Sequence, residues 1–255
     1  MTTKVYAIIG HPVDQVRSPS VFNKRFATAG IDAVMIPFDV PSESFAGVVS
    51  VLRDCANVAG LIVTVPHKLQ AAALAWSSSQ RVRMVGAANV LRPVDRGWEA
   101  ELFDGVGFIT GLKAQGYSVA GVSACIVGAG GAGLAIAEAL LAESARVAIG
   151  DIDRDRAHTA VSRLQEVYGR AIAIGEPSRE HQLIVNATPV GMAGDPSLPF
   201  DLDVLRPGAV VADAIMKPPI TPLLEKAAGR GHPIMEGRHM LDGQAQAIWD
   251  FLGMS

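Results

Sequence analysis

The sequence predicts an α/β protein of two domains, each built on a mostly parallel sheet. Three observations carry that expectation. Apolar, β-rich runs alternate with amphipathic runs of helical length. The alternating series occurs twice, restarting near residue 104. The chain of 255 residues sits near the upper limit for one core, because domains usually hold about 100–200 residues.

In the first series VYAIIG (5–10), AVMIPFDV (33–40), GLIVTV (60–65) and AANVLRPV (87–94) read as strands. SPSVFNKRFATAG (18–30) and SFAGVVSVLRDC (44–55) read as the helices between them. Ser18 is placed at the N-cap of its helix with Pro19 at the first position. Gly30 is placed as its stop. In the second series SACIVG (123–128), ARVAIG (145–150), AIAIG (171–175), QLIVNA (182–187) and AVVADAI (209–215) are continuous apolar runs. Strands covered on both faces have this pattern. AGLAIAEALLAES (132–144), RDRAHTAVSRLQEVYG (154–169), TPLLEKAAGRG (221–231) and MLDGQAQAIWDFLG (240–253) read as helices. The boundary falls at ELFDG (101–105). The expected domains are therefore 1–103, with a returning helix over 238–255, and 104–237.

Apolar residues make up 49% of the chain and charged residues 18%, the composition of a globular protein. A net charge of −3 offers no basic surface for nucleic acid. No apolar run of about 18 residues suggests a membrane span. No signal-peptide pattern precedes the first strand, so the cytoplasm is the expected location. Cys55 and Cys125 lie in apolar contexts and read as buried thiols without a disulfide. The six histidines show no metal-ligand spacing, so no metal site is expected.

CIVGAGGAG (125–133) contains G-x-G-x-x-G at Gly128, Gly130 and Gly133. A strand precedes it and a helix follows, the context of a dinucleotide fingerprint. Gly128 permits the turn, Gly130 lets backbone approach a pyrophosphate, and Gly133 lets helix pack on strand. Ala129, Gly131 and Ala132 complete the loop, and the helix N-terminus presents free N–H groups to phosphate. Asp151, 18 residues beyond Gly133, has the spacing of a ribose-binding acid. A carboxylate there favours NAD over NADP, while Arg154 and Arg156 keep NADP open. Asp153 is either a second acid of this site or the N-cap of the next helix.

With that domain placed, the whole chain resembles the shikimate dehydrogenase family. The matching pieces run in order: GHPVDQVRSPSVFNKRF (10–26), VTVPHK (63–68), GAANVL (86–91), DGVGF (104–108), VGAGGAG (127–133), NATPVGM (186–192), DAIMKPPITPLL (213–224) and GRHMLDGQAQAIW (237–249). The resemblance implies a dehydrogenase that acts on a ring hydroxyl of a carboxylated cyclohexene polyol, using NAD or NADP. It implies a substrate cleft between an N-terminal α/β domain and a C-terminal Rossmann domain, in a monomer or homodimer. The family's catalytic lysine falls on Lys68 and its aspartate on Asp104. Such chemistry needs a group that takes or gives the hydroxyl proton. An isolated lysine at a strand end is ordinarily just solvated; the resemblance gives this one a role. It also implies polyol contacts from Ser18, Thr64, Asn89 and Gln244, a nicotinamide wall from Asn186, Ala187, Thr188 and Met192, and a further cofactor contact from Gly237.

Some positions depart from the family pattern. Val16 stands where the first of two carboxylate-binding serines is usual, and Met216 where a tyrosine is usual. Ile62 replaces an asparagine, and Ala100–Phe103 replaces a polar stretch before Asp104. Losing one charge-assisted hydrogen bond costs on the order of 1.5–3 kcal/mol. Two losses weaken carboxylate binding about a hundredfold or more. Either Arg17 or another group supplies the missing donors, or the substrate lacks that carboxylate or carries something bulkier and more apolar. The alternatives to a cyclic-polyol dehydrogenase are a non-catalytic dinucleotide sensor of the same fold, and a methylenetetrahydrofolate or glutamyl-tRNA reductase type. The Lys68/Asp104 pair speaks against the first, and VTVPHK with NATPVGM against the second.

Overall fold

The computed structural model describes residues 2–14 and 16–254, without the side chain of residue 170. Contacts divide the chain into two units: residues up to Phe103 together with those from Gln246 onward, and Asp104–Ala245.

The first unit contains β1 (Lys4–Gly10), α1 (Ser18–Ala29), β2 (Ala33–Asp39), α2 (Phe45–Asp54), β3 (Val58–Val63), α3 (Lys68–Leu74), β4 (Ser77–Ser78), α4 (Gln80–Val85), β5 (Val90–Val94) and β6 (Gly97–Glu101). Its sheet has the order β2-β1-β3-β5-β6-β4. β1 pairs in parallel with β2 and β3. β5 and β6 form an antiparallel hairpin that pairs with β3 through β5. β1 is buried from Tyr6 to Gly10, which is why it reads as an unbroken apolar run. Pro37 is tolerated in β2 because that strand is the sheet edge.

The second unit contains α5 (Asp104–Ala114), β7 (Ser123–Val127), α6 (Gly131–Ala142), β8 (Arg146–Gly150), α7 (Arg154–Tyr168), β9 (Ile172–Ile174), β10 (Leu183–Asn186), β11 (Val210–Asp213), α8 (Pro222–Gly229) and β12 (Ile234–Met235). All its pairings are parallel, in the order β12-β11-β10-β7-β8-β9. The chain runs outward from β7 to β9 and then restarts beside β7 with β10. That reversal is the topological switch point, where ligands bind at the carboxyl ends of strands.

The last helix, α9 (Arg238–Phe251), corrects one expectation. The sequence placed it whole with the first domain, but the unit boundary falls inside it, between Ala245 and Gln246. Trp249 stacks on Phe22 and packs tilted against Phe26, at ring distances of 6.5 and 5.3 Å. The earlier turns pack on α5, where a Cβ placed on Gly107 would lie 2.2 Å from the Met240 carbonyl oxygen.

Three further differences have local causes. Arg17, not Ser18, occupies the N-cap of α1, and Ser18 is its buried first residue. Lys68 is not a strand end: β3 stops at Val63, and Lys68 opens α3. Strand β6 was not expected. Its pattern buries Trp98 and Ala100 and leaves two glutamates half-exposed, a weak period-2 signal in five residues.

Helix α6 sits directly on β7. A Cβ on Gly133 would lie 1.8 Å from the Gly128 carbonyl oxygen, whereas among the described residues nothing lies within 4 Å of one on Gly130. Gly133→Ala is expected to destabilise the fold by about 3 kcal/mol or more, through forced separation of helix and strand. Gly130→Ala should change stability by less than about 1 kcal/mol. Urea unfolding of the two variants measures the contrast.

Candidate active site

The glycine loop lies between β7 and α6. Gly128 has φ +107, a conformation that side chains resist, and its N–H donates to the Gly150 carbonyl at 2.7 Å. Gly130 is the N-cap of α6, with no side-chain cap. The first N–H groups of that helix are therefore left for a ligand. Beside the loop is a cavity of about 350 Å³, lined by Gly128, Gly130, Asp151, Ile152, Arg156, Glu176 and the 187–190 segment, among others. A backbone loop open at Gly130, a positive helix end and an apolar-walled cavity suit a dinucleotide in shape and charge.

Both acids predicted for this site are occupied by protein. Asp151 accepts the Ala129 N–H at 2.8 Å and the Asp153 N–H at 2.9 Å, and its side chain is only 5% exposed. Asp153 caps α7, accepting the Arg156 N–H at 3.1 Å, and is not part of the cavity lining. That hydrogen bond, first among its causes, holds its carboxyl below the usual range. Arg156 approaches both acids, at 3.6 Å and 3.2 Å.

The far wall is the segment after β10. Asn186, expected to contact a cofactor, has no exposed surface, because it serves the wall from beneath. Its Oδ1 accepts the Thr188 N–H at 3.0 Å and the Thr188 hydroxyl at 2.7 Å. Its Nδ2 donates to the Val190 carbonyl and to both Asp213 oxygens, each at 3.2 Å. Asp213 also accepts the Ile215 N–H at 2.9 Å and the Thr221 hydroxyl at 2.8 Å. Burial pushes the Asp213 carboxyl up to about 6, against these donors, which favour its charged form. Met192 is exposed and outside the cavity lining. Gly237 packs on backbone, where a Cβ would lie 2.3 Å from the Ile215 carbonyl oxygen.

In the first unit one hydrogen-bonded corner gathers Thr64, Lys68 and Asn89. The Thr64 N–H donates to the Ile9 carbonyl at 2.9 Å, and the Ala88 N–H to the Lys68 carbonyl at 2.9 Å. The Val63 N–H donates to the Asn89 carbonyl at 2.7 Å. Asn89 is buried, and its Oδ1 accepts the Phe103 N–H at 2.8 Å. Lys68 is half-buried at the first position of α3. His67, just before it, is fully buried, stacked on Phe45 at 4.4 Å, with Nε2 donating to the Val40 carbonyl at 2.7 Å. Val16 and Met216 are half-buried, and neither side chain can donate a hydrogen bond.

In the second unit Asp104 is 2% exposed in the first turn of α5, where the helix dipole favours a carboxylate. Gln244 of α9 is buried beside α5, its Cβ 2.8 Å from one placed on Gly107. Sequence reasoning missed Ile152, Glu176, Pro189, Val190 and Pro199 in the cavity lining. Only the position of Glu176 just past a strand end could have flagged it. Cys125 is inert: burial, then Glu176, pushes its thiol up to about 12. Cys55 is only half-buried, and both thiols are free.

A glycine-rich loop at a parallel-sheet switch point, with a separate α/β unit carrying a lysine corner, defines the class of two-domain dinucleotide-dependent oxidoreductases. Comparison narrows it. The family model for the shikimate dehydrogenase substrate binding domain matches residues 8–91. The shikimate dehydrogenase (NADP(+)) of Citrifermentans bemidjiense is 34% identical over 97% of this chain and 90% of its own length. The shikimate 5-dehydrogenase of Thermus thermophilus, solved with NADP(H) and shikimate, is 26% identical with a TM-score of 0.90, over 99% of this chain and 94% of that one. The ligand-free 5-ketofructose reductase of Gluconobacter sp. strain CHM43 is 25% identical with a TM-score of 0.87, over 100% of this chain and 94% of that one. The chain belongs to the shikimate dehydrogenase family.

The Asp213 carboxyl gives a signed pH dependence. Its folded pKa of about 6 lies above the ordinary 3.8. The stability it contributes is therefore full below pH 3.8 and falls as pH rises through about 6. The difference corresponds to about 3 kcal/mol. Asp213→Asn should flatten that part of the decline, measured by urea unfolding at several pH values between about 4 and 7.

Proposed function

We propose that this chain transfers a hydride between a nicotinamide dinucleotide and a ring hydroxyl of shikimate or a related cyclic polyol. The observation that carries the reading is the corner holding Thr64, Lys68 and Asn89, in the unit that matches the family's substrate-binding model. The dinucleotide, when bound, accepts the hydride from the carbinol carbon or returns it. Lys68 takes or gives the hydroxyl proton, and Asp104 supports it. Ser18, Thr64, Asn89 and Gln244 bind the polyol hydroxyls and fix the reacting carbon, which lowers the entropy cost of the step. Phosphates bind at the α6 N-terminus, with Gly130 allowing the approach.

A second substrate reading rests on Val16 and Met216. Neither supplies a donor for a carboxylate, and the chain has the same fold as a 5-ketofructose reductase. A polyol or ketose without a carboxylate needs no such donors. The deciding experiment is a steady-state screen of shikimate, quinate and uncharged ketoses with both cofactors. If neither cofactor is reduced by the polyols, and neither reduced cofactor is oxidised by the ketoses, at high enzyme concentration, the enzyme reading is overturned in favour of a dinucleotide sensor. Lys68→Ala should lower kcat by roughly 10²–10⁴, the usual scale for a general acid or base, and leave dinucleotide affinity nearly unchanged. Val16→Ser with Met216→Tyr should tighten shikimate binding without repairing the Lys68→Ala loss. Near-normal kcat in Lys68→Ala would remove the lysine from the mechanism.

Cofactor choice follows from charge. Asp151 and Asp153 already engage the Arg156 guanidinium, and Glu176 lines the same cavity. A 2′-phosphate would add negative charge to an acidic cluster, so NAD is favoured even though curated relatives carry NADP(+) in their names. The ratio of kcat/KM for the two cofactors tests this. A preference for NADP of about tenfold, 1.4 kcal/mol in transition-state terms, would show that Arg156 dominates.

A further inference from the structure

We infer that Asp213 is a positioning residue: its ionised carboxylate, acting through Asn186, holds the 187–190 wall of the dinucleotide cavity in its binding shape. This rests on reading that cavity as the dinucleotide site.

Asp213 and Asn186 are the last residues of neighbouring strands, paired in register. Each is at most 1% exposed. The two groups tie three segments together. Asn186 fixes Thr188 and Val190, both of which line the cavity. The Val190 N–H closes the wall by donating to the Thr188 hydroxyl at 3.2 Å. Asp213 holds the segment after β11 through the Ile215 N–H, and the start of α8 through Thr221. Thr221 in turn caps α8, accepting the Leu224 N–H at 3.3 Å.

Every one of these partners of Asp213 is a donor. Ile215 offers a backbone N–H, Asn186 its amide N–H, and Thr221 its hydroxyl. A proton on the carboxyl would face one of them and displace it. The freed partner would be left unsatisfied in a buried place, which natural folds avoid. The wall is therefore complete only with the carboxylate ionised. The titratable side chains on the flanking segments include Asp195, which accepts the Gly191 N–H, and Lys217, Glu225, Lys226, His232 and Glu236. None is among the causes of the Asp213 shift, which are burial and the three donors. No neighbouring charge therefore drives the switch, and the ionised and neutral forms exchange near pH 6. The cavity's own titratable groups are Asp151, Arg156 and Glu176.

Reduced NAD is the probe, because it carries no 2′-phosphate to titrate. Its dissociation constant, read from its fluorescence, should rise about tenfold between pH 7 and pH 5, the loss of binding-competent protein expected for a group ionising near 6. Asp213→Asn should bind as weakly at pH 7 as the wild type does at pH 5, and lose the pH dependence. Thr221→Val removes one donor, so the midpoint should move above that of the wild type, and Thr221→Ser should restore it. Amide hydrogen exchange without dinucleotide reads the wall directly. In Asp213→Asn, Thr188 and Val190 should lose protection by about tenfold or more, while Ala129, held by Asp151, keeps its own. Wild-type affinity in Asp213→Asn, an unmoved midpoint in Thr221→Val, or unchanged exchange at Thr188 and Val190 each overturns the inference. If the wild type binds no dinucleotide, the cavity reading fails, and the exchange result alone decides the positioning role.

Discussion

Close backbone contact through glycine is the constraint on which the second unit depends. At Gly133 and Gly128 helix and strand meet with no room for a side chain. The same device repeats outward. A Cβ on Gly105 would lie 2.1 Å from the Ala135 carbonyl oxygen of α6. One on Gly243 would lie 2.3 Å from the Gly107 carbonyl oxygen, joining α9 to α5. The glycine loop, Asp104 and Gln244 are thus placed by backbone surfaces in contact. Such contacts leave little slack, since interiors are packed near the density of organic crystals. The roles proposed for Asp104 and Gln244 would gain from this, because small displacements of positioned groups are expensive in rate.

Buried polar groups do the finer placement. Asn89 spends its side-chain oxygen on the Phe103 N–H, one residue before Asp104. Asn186 spends its amide on the wall of the cavity and on Asp213. In both cases a side chain that reads as a ligand-binding amide is also a brace for backbone. Buried amides and carboxylates persist only where nearly every hydrogen-bonding atom is satisfied. The local geometry is then narrow, as a positioned site requires.

Electrostatics at the cavity mouth show how context changes the meaning of a residue. Asp151 has the spacing of a ribose acid, yet both its oxygens rest on backbone N–H groups of the adjoining loops. Arg156 looks like a phosphate ligand, yet two carboxylates approach it. The charge presented to a ligand is the sum over such neighbours, and spacing along one chain does not reveal that sum.

The class of each unit is legible in the residues alone. Continuous apolar runs mark strands buried on both faces, and the Gly128–Gly130–Gly133 spacing marks a strand–turn–helix loop, because local sterics dictate both. That Lys68 opens a helix emerges only in the folded chain, since a seven-residue helix after a proline has too few residues to show a period. That α9 divides between the units is likewise a product of folding, because one amphipathic pattern does not say which surface each turn will meet. The hydrogen-bond partners of Asp151, Asp153, Asn186 and Asp213 likewise came from the fold. A hydrogen bond between residues 27 positions apart, as from Asn186 to Asp213, exists only once the strands that carry them lie side by side.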